Sequence, residues 1–161
     1  MTQATLVIGI GNTWRGDDGV GPMIASALHE KELPNVKVVP NVADGLDLLD
    51  KWRDADSVYI VDALRGCAEP GTVIRVDALH ETLPTEAGYS SHTFGLAEAI
   101  ELGRTLGQLP KKLVVIGIEG QDFGMGDRIS AVVENSARRV IAELCAELGD
   151  TPLQQQEIQH A

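Results

Sequence analysis

Residues 9–21 of this chain read GIGNTWRGDDGVG. They follow a short apolar run, Thr5 to Ile10, that predicts a buried strand, and they precede an apolar-periodic run, Pro22 to about Leu33, that predicts a helix. A glycine-rich turn between a strand and a helix is typical of a phosphate site, because free backbone N–H groups face the anion. Here two adjacent carboxylates, Asp17 and Asp18, would repel a phosphate, and the glycine spacing departs from the dinucleotide fingerprint. We therefore predict that this loop presents a carboxylate.

Asp18 is the carboxylate that we expect to be functional. The alternative is that an aspartate at this place only caps the following helix. Pro22 favours the first helical position, which makes Gly21 the expected N-cap. Asp18 would then lie three residues outside the helix and would be free to point elsewhere.

Length and composition limit the classes of function. The 161 residues suffice for one domain with a sizeable core, and no run is long and apolar enough to cross a membrane. A net charge of −11 argues against a nucleic-acid partner, because phosphate binding needs clustered lysine and arginine. Cys67 and Cys145 form no C-x-x-C pair, and a strand predicted within a few residues of Met1 leaves no room for a signal peptide. We expect a cytoplasmic protein with no membrane partner.

The rest of the chain alternates strands and helices. This order predicts one three-layer α/β/α domain, residues 1–150, in which helices cover both faces of a mostly parallel sheet of about five strands. No helix separates the fourth strand from the third, so that edge strand is expected to run antiparallel. Residues 151–161, rich in glutamine, are expected to form a disordered tail. Further strands are predicted at Lys37–Pro40, Ser57–Val61, Thr72–Val76 and Lys112–Ile118, and further helices at Gly45–Trp52, Phe94–Leu106 and after a capping Ser130.

Sites in such sheets form outside the carboxyl ends of the strands, a rule that selects Asp18, Asp62 and Glu119. His92 is added because it is expected at a helix N-terminus, where the dipole favours a neutral imidazole. Each residue alone has a plainer role: Asp62 could bond the following turn, and His92 could make a local hydrogen bond. Together, Asp18, Asp62 and His92 would suit nickel or zinc with open positions for water or substrate. Without a metal, the paired carboxylates could share a proton and act as general acid and base.

Four ordered stretches carry a resemblance to a known family. They are Leu6–Asn12 with Gly16–Gly19; Tyr59–Ala63 with Pro70–Thr72; Ser91–His92 with Gly95–Leu96 and Glu98; and Ile116–Glu119 with Ile129–Ser130. In this order they resemble the hydrogenase maturation endopeptidases. Those cytosolic proteases remove a C-terminal extension from the large subunit of nickel–iron hydrogenases.

The resemblance implies a function and a set of site residues. By position, the family's metal-contacting residues are Asp18, Asp62 and His92, which would act as both catalytic and metal-binding groups of an aspartyl-type protease. The resemblance implies that the nickel is carried by the substrate, a hydrogenase large-subunit precursor, and that no organic cofactor is needed. Two alternatives stay open: a noncatalytic nickel-binding assembly chaperone, and a peptidyl-tRNA hydrolase, which the net charge disfavours.

Trp14 and Arg15 lie in the same first loop. A tryptophan that faces solvent is a natural interface anchor, so the pair could contact a substrate. The alternative is that Trp14 folds back onto its own loop.

Overall fold

The computed structural model describes residues 4–42, 45–84 and 95–150, which build one five-stranded sheet with helices on both faces. The strand order is β2-β1-β3-β5-β4; β4 is antiparallel to β5, and the other pairings are parallel. The prediction of a mostly parallel sheet with an antiparallel edge strand is confirmed. The strands are β1 Thr5–Ile10, β2 Val36–Val42, β3 Ser57–Leu64, β4 Val73–Asp77 and β5 Lys112–Glu119, and the helices are α1 Val20–Glu30, α2 Gly45–Trp52, α3 Leu96–Leu106 and α4 Ala131–Cys145.

Two apolar clusters hold the layers together. Ile8 and Ile60 face α2 and α3, whereas their neighbours Val7 and Val61 face α1 and α4. The central strands are therefore buried on both faces, which explains why they read as continuous apolar runs. Leu46 of α2 and Leu106 of α3 are exposed and lie outside both clusters.

Two strands end at least two residues later than the sequence predicts. β2 continues through Pro40 to Val42, because it is an edge strand and a missing backbone donor is tolerated there. β3 continues to Leu64, because its pairing with β5 persists to the end of that strand. Asp62, predicted just after β3, therefore lies inside it, opposite Gly117 of β5.

The first helix also begins earlier than predicted. A short 3₁₀ turn, Gly16–Gly19, leads directly into α1, so Gly19 is the N-cap and Gly21 lies inside the helix. Gly21 is required because a Cβ there would overlap the carbonyl oxygens of Ile10 and Val61. This close approach seats the start of α1 directly on β1 and β3.

Some predictions fall outside the described residues. These are the beginning of the third helix at Phe94, the position of His92, and the tail at 151–161. Within the described part of the chain, no helix is long and apolar enough to span a membrane.

Candidate active site

Two carboxylates meet where the strand order reverses. The chain leaves β1 toward β2 on one side, whereas β3 lies on the other side of β1. The carboxyl ends of β1 and β3 therefore border a crevice of the kind in which α/β sheets bind ligands. Asp18 reaches it from the 3₁₀ turn after β1, and Asp62 reaches it from the last part of β3.

Asp18 is 4% exposed, and only one of its two carboxylate oxygens has a hydrogen-bond partner among the described residues. Its Oδ2 accepts the N–H of Asn12 at 2.7 Å, whereas its buried Oδ1 has no hydrogen-bond partner among the described residues. Helix α1 has no side-chain cap, so Asp18 does not act as the helix cap that the sequence left open. Since an unpaired buried acceptor costs about 1–3 kcal/mol, Oδ1 is a candidate ligand atom.

Gly11 makes this arrangement possible. Its φ of +148° is favourable only for glycine, and a Cβ on it would overlap the backbone carbonyl oxygen of Asp18. The loop can therefore fold back closely enough for Asn12 to donate to the Asp18 carboxylate.

Asp62 is 1% exposed, and its Oδ1 accepts the N–H of Ala63 at 2.8 Å. Burial raises its pKa well above the usual carboxyl value, the negative charge of Asp18 raises it further, and the Ala63 hydrogen bond opposes both. The two carboxylates therefore interact electrostatically, and Asp62 holds a proton more readily than an exposed carboxyl group does.

The third predicted ligand, His92, lies outside the described residues. Among residues 4–42, 45–84 and 95–150, no three histidine, cysteine, aspartate or glutamate side chains cluster in a way that would hold a metal ion. The described part of the site thus contains two buried carboxylates, Asp18 and Asp62. The role of His92 stays a prediction.

Asp17 has a role that the sequence did not reveal. This buried carboxylate accepts the N–H groups of Gln121, Asp122 and Ser130 at 2.7, 2.9 and 2.7 Å, together with the Ser130 hydroxyl at 2.7 Å. Burial would raise the pKa of Asp17, but these hydrogen bonds lower it overall. Asp17 therefore ties the loop after β1 to the loop after β5.

This contact also corrects the prediction for Ser130. The residue stands at the N-cap position of α4, but its side chain makes no capping hydrogen bond, because its hydroxyl is donated to Asp17. The sequence signal for this contact is the pair of adjacent aspartates, because two successive side chains in one turn cannot both face the same crevice.

Glu119 was selected by the same strand-end rule, and it lies buried at the end of β5. Its oxygens accept the N–H groups of Gly66, Cys67 and Ala68 at 2.8, 2.9 and 3.0 Å. Glu119 therefore fixes the loop after β3.

Comparison with known proteins decides the family. A family model described as hydrogenase maturation protease matches residues 22–147. The chain belongs to this family. It is a family of peptidases, and the resemblance read from the four sequence stretches is confirmed.

Named relatives agree with this membership. A putative hydrogenase maturation protease of Methanocaldococcus jannaschii is 34% identical over 140 residues, covering 84% of this chain and 88% of the relative. The hydrogenase 2 maturation protease of Escherichia coli is 28% identical, covering 86% and 89%. The hydrogenase expression/formation protein HupD of Thiocapsa roseopersicina is 34% identical, but the match spans 80% of this chain and only 64% of that protein.

Solved structures share the fold. The hydrogenase maturating endopeptidase HybD from Escherichia coli superposes with a TM-score of 0.75 at 26% identity, over 91% of this chain and 92% of that one. The nickel–iron hydrogenase maturation protease HycI from Thermococcus kodakarensis gives 0.73 at 29% identity, over 92% and 94%. The three-layer architecture thus belongs to a known protease fold.

Proposed function

We propose that this protein is an endopeptidase that removes the C-terminal extension of a nickel–iron hydrogenase large-subunit precursor after nickel insertion. Family membership supports the class of reaction and of substrate. The observation that carries the rest is the unpaired, buried Oδ1 of Asp18 beside the buried carboxyl group of Asp62. Such a pair is suited to a cation that arrives from outside the chain.

In this proposal the cation is nickel, and the substrate carries it. Asp18 and Asp62 supply oxygen ligands, and His92 supplies the nitrogen ligand that the family resemblance implies. A mixed set of imidazole and carboxylate donors is compatible with nickel. Because like charges in a buried pair repel, a divalent cation would stabilise both carboxylates in their ionised form. A precursor without nickel lacks that stabilisation, so the site would discriminate between loaded and unloaded precursors.

Peptide hydrolysis also needs an activated water molecule. Asp62 could act as the general base, since its carboxylate reaches the crevice and would be ionised while the substrate's nickel is bound. Alternatively, the substrate's nickel could lower the pKa of a bound water molecule. In both cases Asp62 contacts the reacting groups, and Asp18 orients the nickel-bearing end of the precursor.

The cellular setting is part of the same proposal. Cys67 and Cys145 are free thiols, which suits a reducing compartment. We place the protein in the cytoplasm, where an unfinished hydrogenase subunit would be processed.

The test is cleavage of a nickel-loaded precursor, followed by mass spectrometry of its C-terminus. We expect the wild-type protein to remove the extension and a folded Asp62→Asn variant to leave it in place. The matched control is Asp50→Asn, which removes an exposed carboxylate of α2 and should cleave normally. Normal processing by Asp62→Asn would contradict the role of Asp62. A wild-type protein that binds the precursor and leaves it intact would instead indicate an assembly chaperone.

A further inference from the structure

Trp14 and Met125 are exposed apolar side chains on two separate loops that contact each other, and we call this pair the ridge. Trp14 is 69% exposed and Met125 is 99% exposed, so the tryptophan does not fold back onto its own loop. The loops are joined by backbone hydrogen bonds: the N–H of Gly126 donates to the carbonyl oxygen of Trp14, and the N–H of Gly16 donates to that of Gly126, both at 2.8 Å. The two side chains therefore stand on neighbouring backbone segments.

The ridge rests on a fixed base. The buried carboxylate of Asp17 accepts the N–H groups of Gln121 and Asp122 on one side of Met125 and that of Ser130 on the other. The loop that carries Met125 is thus tied down at both ends, and its exposure is not that of an unanchored tip. A rigid apolar surface loses little conformational entropy when a partner covers it.

Hydrogen bonds link the loop that carries Trp14 to the crevice. The N–H of Trp14 donates to the side-chain oxygen of Asn12 at 2.9 Å, and the N–H of Asn12 donates to the carboxylate of Asp18 at 2.7 Å. Two hydrogen bonds therefore connect the ridge to the site. A protein docked on the ridge would therefore lie near the crevice.

Two arginines border the ridge. Arg15 follows Trp14, and Arg128 lines the same cleft of about 410 Å³ as Met125, together with Asp122 and Asp127. Both arginines are exposed, and neither forms an ion pair within the described part of the chain. Tryptophan, methionine and arginine are residue types enriched in the centres of protein interfaces.

We propose that this ridge is the surface on which the folded hydrogenase large-subunit precursor docks, an inference that rests on the proposed function. The chemistry points to an apolar hollow on the precursor with carboxylates at its border, which would pair with Arg15 and Arg128. A second copy of this chain is a poorer occupant, because two molecules of net charge −11 repel each other. The position of the ridge fits the precursor, because the precursor must present its scissile bond to the crevice.

The experiment compares the double variant Trp14→Ala/Met125→Ala with a matched control, Leu106→Ala. Leu106 is also exposed, but it ends α3, which leads back to the amino-terminal edge of the sheet. Precursor affinity is measured by calorimetry, and cleavage of nickel-loaded precursor is followed by mass spectrometry. We expect the double variant to weaken precursor binding at least about tenfold and to raise KM with little change in kcat, because an interface anchor is lost. The control should match the wild type, and all three proteins should have equal Tm values.

The outcomes separate this inference from the proposed function. Wild-type cleavage combined with an unchanged KM in the double variant overturns the docking surface and leaves the protease assignment intact. If the wild type binds the precursor without cutting it, the protease assignment fails; a tenfold loss of binding in the double variant still supports the ridge. A wild type that does not bind the precursor overturns both. A wild-type dimer that the double variant abolishes, seen by analytical ultracentrifugation, assigns the ridge to self-association and overturns the inference.

Discussion

Replacing Asp62 by asparagine should make the protein more stable while it abolishes cleavage. The carboxyl group is 1% exposed, and its pKa is raised by burial and by the charge of Asp18. Asparagine has nearly the same shape, and its amide oxygen can still accept the N–H of Ala63. Its amide nitrogen can in addition donate toward the crevice, where Oδ1 of Asp18 has no partner among the described residues.

The expected gain in the free energy of unfolding follows from what the unpaired, buried Oδ1 of Asp18 costs. That cost is about 1–3 kcal/mol, so Asp62→Asn should raise the free energy of unfolding by about 2 kcal/mol at pH 7. For a chain of this size, the change corresponds to an increase in Tm of about 4–8 °C. Part of the wild-type stability is thus given up to keep two carboxylates in one crevice, as is common at functional sites.

The stability difference between Asp62→Asn and the wild type should depend on pH. Because the pKa of Asp62 is higher in the folded protein than in the unfolded chain, the folded protein holds this proton more tightly. The stability that the proton contributes is fully present below the ordinary carboxyl pKa and is lost as pH rises through the folded value. The advantage of Asp62→Asn should therefore be small near pH 4 and should grow toward pH 7.

The assay is urea unfolding at several pH values, with a chelator present so that no stray divalent cation binds the carboxylates. Asp50→Asn serves as the control for the loss of one negative charge from an acidic protein. A variant at Asp62 that is no more stable than this control at pH 7, or whose advantage does not change with pH, would refute the reasoning about the buried pair.

Three further predictions concern the residues around the pair. Asp17→Asn should destabilise the fold by about 2–3 kcal/mol in urea unfolding, because the hydrogen bonds that the ionised carboxylate accepts are weakened. Since the pKa of Asp17 is lowered in the folded protein, the stability advantage of the wild type should fade as pH falls through that folded pKa. A stability difference that is independent of pH would contradict this prediction. Gly21→Ala should lower Tm by several degrees because its Cβ would overlap the carbonyl oxygen of Ile10 at 2.5 Å. Gly124→Ala is the control for lost backbone freedom, because Gly124 has no left-handed φ and its Cβ would meet only the side-chain Oδ1 of Asp122 at 3.1 Å. His92→Ala should weaken nickel binding in calorimetry, and an unchanged affinity would remove His92 from the proposed ligands.

The sequence predicted correctly the bounds of elements that local interactions define, and it misplaced the bounds that depend on contacts between distant residues. β1 and α2 have the predicted bounds, because a short apolar run and an amphipathic period are local signals. β3 was predicted to end three residues too early, because its last residues are held by pairing with β5, about 55 positions away. The start of α1 was misplaced because close packing requires Gly21 inside the helix, a constraint that no local pattern reveals.

The candidate site divides in the same way. The sequence alone determined the order of strands and helices, and with it the prediction that Asp18 and Asp62 lie near the carboxyl ends of neighbouring strands. Only the tertiary structure decided that the neighbouring Asp17 ties two loops together. That role depends on N–H groups more than a hundred residues further along the chain, which reach Asp17 only after β5 has joined the sheet. A carboxylate's function is set by the donors and charges that folding brings to it, and its position in the sequence does not specify them.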